Sequence, residues 1–201
     1  MPSTTKLKKY ELGRRLGKQG PRRTVKTQAA SCDKSTTGDI NLLQANISGI
    51  QNRAEELLRM LNQHNIHIAL IQETIPPKKE VNISGYTQHR CQCKKGQRIM
   101  TLVRNNVQAE VTNISKDQDK SINTQKITYW VNKTKYTFYN NYCPPTTEER
   151  LNYEDITYQK TIIAGDFNAH SPSWGYKDYN TRGRDIEEIC NTKKHDSKTK
   201  F

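Results

Sequence analysis

Two apolar runs in this sequence end in carboxylates. Residues 66–73 (IHIALIQE) close on Gln72-Glu73, and residues 160–165 (KTIIAG) run directly into Asp166-Phe167-Asn168. Short, nearly continuous apolar runs read as strands buried on both faces. In an open α/β sheet, ligands bind outside the carboxyl ends of the strands. Two carboxylates gathered there repel unless a cation joins them, and an all-oxygen donor set suits Mg2+ or Mn2+. Such an ion polarises a phosphoryl oxygen and stabilises charge on a leaving group. Metal-assisted attack on a phosphate ester is the chemistry these two acids suggest. The plainer alternative is that Glu73 and Asp166 only cap strand-to-loop turns, and spacing alone does not separate the two.

The elements that must position them are legible from periodicity. Residues 40–46 (INLLQAN) read as a strand, and Ala54, Leu57, Leu58 and Leu61 then fall on one face of an amphipathic helix. With 66–73 they form a strand–helix–strand unit, ended by Pro76-Pro77. Residues 98–104, 107–112, 126–131 and 135–142 are short β-rich runs between polar turns, and they read as an antiparallel meander. Pro144-Pro145 opens a polar connector to about residue 159, with a short helix expected over 147–153. A helix is expected to start in 184–190.

Composition narrows the class. The chain has 201 residues, only 32% hydrophobic, with a mean hydropathy of −0.97. No apolar run is long enough to cross a bilayer as a helix, and residues 1–30 hold no secretory apolar stretch. Five cysteines, including a lone Cys91-x-Cys93, give neither a disulfide framework nor zinc spacing. An intracellular protein is expected, with the sequons at Asn46, Asn82, Asn113 and Asn132 carrying no weight. The net charge is +13, and residues 1–39 contribute ten bases and three acids. These residues lack an apolar pattern and are expected to form a disordered basic arm. The arm is either a solvated tail or a salt-sensitive polyanion-binding segment. Residues 191–201 form a second basic tail.

The wording of the motifs adds to this. Gln44-Ala45-Asn46, Gln72-Glu73, Asn141-Tyr142-Cys143-Pro144-Pro145 and Gly165-Asp166-Phe167-Asn168-Ala169-His170 occur in order, followed by Ser171-Pro172-Ser173-Trp174-Gly175 and Thr181-Arg182-Gly183-Arg184. Together they resemble the endonuclease/exonuclease/phosphatase family, whose relatives include pancreatic deoxyribonuclease and apurinic endonucleases. More closely, they are similar to the endonuclease domain that precedes reverse transcriptase in jockey-like non-LTR retrotransposons. The resemblance covers residues 40–190 and implies a DNase I-like four-layer α/β sandwich. It implies that Glu73 binds the metal, with Asn46 beside it, and that Tyr142 contacts the scissile phosphate. Asp166 and Asn168 would orient the attacking water and the phosphate, with Asp166 also near the metal. The cofactor implied is Mg2+ or Mn2+, the partner double-stranded DNA, and the setting intracellular, with a nuclear location in keeping. His170 reads as packing its loop against Trp174, or as a nucleic-acid contact. Arg182 and Arg184 would touch DNA phosphates or form a solvated face.

The sequence also departs from that family. A Ser-Asp-His motif, in which histidine serves as general base or phosphate binder, is not found, and His195-Asp196 has neither its order nor its distance. The expectation is a partial domain with impaired nicking. Two alternatives remain: a non-catalytic basic remnant that binds nucleic acid, and a phosphatase of the same fold, against which the Trp174-Gly175 loop argues.

Overall fold

A computed structural model describes residues 6–9, 40–75, 80–91, 99–114, 122–131, 133–145 and 160–193. A five-stranded sheet forms first. It contains β1 (Lys6–Lys9), β2 (Asn41–Asn46), β3 (Ile68–Gln72), β4 (Tyr86–Arg90) and β5 (Ile99–Arg104), in the order β1-β2-β3-β5-β4. Helix α1 (Ala54–Gln63) makes the crossover between the parallel pair β2 and β3. Its Leu57 and Leu61 are fully buried against Leu43, Ala45, Ala69 and Ile71 on one face of the sheet. Burying a leucine contributes about 1.5–3 kcal/mol, so this stripe holds the helix although its first turn lacks a side-chain cap.

The second sheet contains β6 (Ala109–Asn113), β7 (Asn123–Val131), β8 (Thr134–Tyr142) and β9 (Thr161–Asp166), in that order. Strands β6, β7 and β8 form an antiparallel meander, and β9 pairs parallel to β8. Ile40, Leu42, Ile68 and Leu70 on the first sheet pack against Ile127 and Phe138 on the second. Helix α1 and the two sheets thus supply three layers of the expected sandwich among the described residues, with β3 buried at every residue between them. A 3-10 turn (Pro172–Trp174) and α2 (Thr181–Lys193) follow β9.

The structure corrects three expectations and adds one strand. Within the arm, Lys6–Lys9 is a strand paired parallel to β2, because an open sheet edge offers backbone partners whatever the side chains. Residues 10–39 lie outside the described residues. The run over 98–104 does not join the meander: β5 pairs antiparallel with β3 and β4 in the first sheet. Its burial on both faces is that of a central strand, not an outer one. Strand β4 was not expected, since its burial shows no two-residue alternation. Helix α2 begins at Thr181 rather than 184 and continues past residue 190. The helix expected over 147–153 and the tail beyond residue 193 lie outside the described residues.

Candidate active site

The carboxyl ends of the two parallel pairs face each other across the sandwich. In β2 and β3, Asn46 is level with Gln72; in β8 and β9, Tyr142 is level with Asp166. The loops that leave β2 and β3 stay joined: the Ile47, Gly49 and Ile50 amides donate to the carbonyls of Gln72, Glu73 and Thr74. On the other sheet, the Cys143 amide donates to the Asp166 carbonyl at 2.8 Å. Each strand end therefore carries its chemistry on a braced turn.

One hydrogen-bonded path then links five of the residues expected at the site. Asn46 Nδ2 donates to Asp166 Oδ2 at 2.7 Å, across 120 positions of sequence, while Asn46 Oδ1 accepts from the Ser48 amide. The Ser48 hydroxyl donates to Glu73 Oε2 at 3.3 Å, and Tyr142 Oη to Glu73 Oε1 at 3.4 Å. Asp166 Oδ1 accepts the Asn168 amide at 3.2 Å. Asn46 and Ser48 are exposed, Glu73, Asp166 and Asn168 half-buried, and Tyr142 buried against Cys91 and Ile99. The site therefore lies at the surface, over the buried Tyr142 ring.

Its backbone is strained where its chemistry sits. Ser48, Glu73 and Asn168 all have left-handed backbones, with φ of 46°, 52° and 47°. Such conformations cost on the order of 1–3 kcal/mol and persist where surroundings enforce them, typically at functional sites. Gly165, with φ of 151°, is a place only glycine fits: an added Cβ would lie 2.0 Å from the Asn141 carbonyl oxygen.

Beneath the pocket runs a band of buried amides. Gln44 Nε2 donates to Gln72 Oε1, and Gln72 Nε2 donates to Asn140 Oδ1, both at 2.7 Å. Asn140 Nδ2 continues to the Met100 carbonyl, and Thr101 to Gln125. The residues before Glu73 and before Asn141-Tyr142 are thus fixed to each other through the sandwich.

The donor set fits a hard cation. Glu73 and Asp166 offer carboxylate oxygens, with the Asn46 amide oxygen, which accepts the Ser48 amide, beside them, and among the described residues no lysine or arginine pairs with either carboxylate. No group of three or more His, Cys, Asp or Glu that could hold a metal occurs among the described residues. Mg2+ commonly takes one or two carboxylates and completes its shell with water and substrate phosphate, so two acids suffice.

The loop after Asp166 is organised by Asn180, which sequence reasoning missed. Its Nδ2 donates to the Asn168 carbonyl at 2.7 Å, and its Oδ1 accepts the amides of His170 and Gly183. Asn168 Nδ2 donates to the Cys143 carbonyl. Ser48 was missed as well. A polar residue just past a strand end is the only sequence signal for it, and Asn180 has none. Ser171 caps the 3-10 turn and donates to Glu187 on α2. That hydrogen bond, with those of Ser173 and Tyr179, holds the Glu187 carboxyl below its usual pKa.

The three residues expected to meet nucleic acid part ways. Arg182 is 5% exposed and donates to the carbonyls of Cys143, Pro144 and Phe167, so it is a brace, not a phosphate contact. Arg184 is exposed, its guanidinium 5.9 Å from the Tyr179 ring centroid. His170 packs on Tyr176 rather than Trp174, stacked at 4.2 Å, and its Nδ1 lies 3.3 Å from Asp178.

The two-sheet sandwich described above recurs in solved structures. The chain is similar to the structure described as the endonuclease domain of TRAS1, a telomere-specific non-LTR retrotransposon. The TM-score is 0.54 at 20% identity, covering 77% of this chain and 70% of that one. Weaker likenesses are to D. rerio TDP2 complexed with single strand DNA product (TM-score 0.48, 17% identity, 65% of this chain and 61% of that one) and to an endonuclease/exonuclease/phosphatase family protein from Leptotrichia buccalis C-1013-b (0.45, 13%, 75% and 71%). The fold is the DNase I-like fold of the endonuclease/exonuclease/phosphatase family. Residues 136–200, which carry Tyr142, Asp166 and Asn168, match the family described as Endonuclease-reverse transcriptase. No curated protein matches the sequence significantly. No helix among the described residues is long and apolar enough to cross a membrane.

Proposed function

We propose that this chain is a retrotransposon-type endonuclease domain that nicks double-stranded DNA by Mg2+- or Mn2+-assisted phosphodiester hydrolysis. The single observation that carries the reading is the Asn46–Asp166 hydrogen bond, which joins two sheets and two carboxylate-bearing turns into one pocket. Glu73, Asp166 and Asn46 would hold the ion, which when bound supplies Lewis acidity at a phosphoryl oxygen. Tyr142 and Asn168 meet the phosphate, and Asp166 orients the attacking water. The amide of Asn46 holds the Asp166 carboxylate in place before substrate arrives, the preorganisation on which electrostatic stabilisation of a charged transition state depends. Residues 1–39 add charge-driven affinity for DNA, and the setting of the reaction is nuclear.

Supercoiled plasmid is the test. Slow relaxation is expected with Mg2+ or Mn2+, and none in Asp166→Ala or in chelator. The rate should be low because the 201 residues hold no Ser-Asp-His motif, and a positioned acid or base is commonly worth about 10²–10⁴-fold. Binding without any nicking would leave the non-catalytic DNA-binding reading in its place. Relaxation that persists in Asp166→Ala would overturn the site.

A further inference from the structure

Six large hydrophobic side chains are exposed among the described residues, and three of them, Trp174, Tyr176 and Tyr179, lie in the one loop between β9 and α2. They are 42%, 47% and 45% exposed. The loop that carries them is firmly built. Asn180 ties its two ends, Ser171 caps its 3-10 turn, and Tyr179 Oη donates to Glu187 at 3.0 Å. Trp174 Nε1 is occupied by the Ala169 carbonyl. The rings are therefore held in water by a rigid frame.

Two features of the loop point to what would cover them. It leaves β9 directly after Asp166, and Asn180 ties its far end back to Asn168, the residue bonded to the Asp166 carboxylate. Its ring contacts are those of a stacking surface: the His170 imidazole lies over Tyr176 at 12° to its plane, and the Arg184 guanidinium sits near the Tyr179 ring. The two acids beside the rings are engaged, Asp178 with His170 and Glu187 with Ser171 and Tyr179. Over residues 167–193 the bases Lys177, Arg182, Arg184 and Lys193 balance the acids Asp178, Asp185, Glu187 and Glu188, so ring faces rather than local charge would hold a partner here.

We infer that the loop over residues 170–179 is a stacking surface for unpaired nucleobases of the strand whose phosphate enters the Glu73–Asp166 pocket. The inference rests on the function proposed above. Every base has a π face, so aromatic rings bind single strands with little sequence preference. An intact duplex hides those faces. Duplexes whose bases are unpaired beside the scissile phosphate should therefore bind better than fully paired ones.

The experiment uses the full chain with Trp130→Phe, which leaves Trp174 as its one tryptophan. Single-stranded oligothymidylate and a duplex of equal length are titrated in chelator, reading tryptophan fluorescence. Saturable quenching by the single strand is expected, with weaker quenching by the duplex. Tyr176→Leu, and Trp174→Leu followed by fluorescence anisotropy of labelled DNA, should each weaken single-strand binding by about 5- to 150-fold. The slope of log affinity against log salt should stay unchanged, since neither ring neutralises a phosphate. Tyr176→Phe should bind as the parent does. If either leucine variant unfolds, the other carries the same test, because both rings are exposed. Unchanged affinity in the leucine variants, or duplex preferred over single strand, would overturn the inference. Ring-dependent binding without metal-dependent nicking would sink the nuclease reading and leave the stacking surface standing; nicking without ring dependence would do the reverse.

Discussion

Asn46 does two jobs at once: its amide nitrogen reaches the carboxylate of the opposite sheet, and its oxygen fixes the turn that presents Ser48 to Glu73. Asn46→Ala is expected to slow plasmid nicking by about 10²-fold, the usual cost of losing one preorganised donor. Thermal unfolding should shift by only about 1 kcal/mol, since Asn46 is exposed. Arg182 should behave in the opposite way. Arg182→Ala abandons three carbonyls in a buried setting, and urea unfolding should report a loss of about 3 kcal/mol. The salt slope of DNA binding should not move, whereas Arg184→Ala should flatten it by up to about 1 if that exposed cation meets a phosphate. These roles differ in how far the sequence declares them. Glu73 and Asp166 are legible because each ends an apolar run, which in a parallel arrangement is where ligands go. Asn46, Tyr142 and Asn168 came only with the family resemblance, since an asparagine or tyrosine at a strand end has no periodic signature. Arg182 misleads because a guanidinium in a basic sequence reads as surface, and only the fold reveals three carbonyls converging on it.

Between elements, the parallel pairs β2–β3 and β8–β9 decide where the pocket opens, and the apolar layer between the sheets holds those pairs in line. Phe138, fully buried in that layer, faces Ile127 in the β7–β8 register. Phe138→Ala should cost about 3–5 kcal/mol in chemical denaturation and should abolish nicking as the sheets separate. His67, at the entrance to β3, gives a pH signature. Burial, and then the charge of Arg104, lower its pKa, and its Nδ1 accepts the Asn41 amide as a neutral ring. The unfolded chain therefore takes up a proton near pH 6.5 that the folded chain resists. Stability should be full above about pH 6.5 and fall as the pH drops through the lowered folded value. His67→Asn should flatten that decline in thermal melts across about pH 5 to 7. Element types were largely readable from periodicity, as with Leu57 and Leu61 on α1. Partnerships were not. The run at 98–104 looks like part of the meander that follows it, yet it pairs back to β3, because a pattern of side chains specifies a strand without naming its neighbour.

Over the whole molecule, charge is unevenly spread, with ten of the 33 bases in residues 1–39. Replacing Arg14, Arg15, Arg22 and Arg23 by glutamine leaves the Lys6–Lys9 strand intact. It should flatten the salt slope of duplex binding by up to about 3 to 4, at about 0.9 for each phosphate no longer neutralised. Filter binding between low and physiological salt checks this. The two sheets also end differently. Among the described residues, the first ends on the short, lysine-bearing β1, and the second on β9, whose residues 161–165 carry no charge and are all half-exposed. Lysines and short length are the usual guards against strand-to-strand adhesion, and β9 has neither. The chain should accordingly be sticky in concentrated solution. Light scattering should rise with protein concentration even where the fold is intact, and Ile163→Lys should suppress it, so that shelf life and handling are governed by the same strand that carries Asp166 into the site.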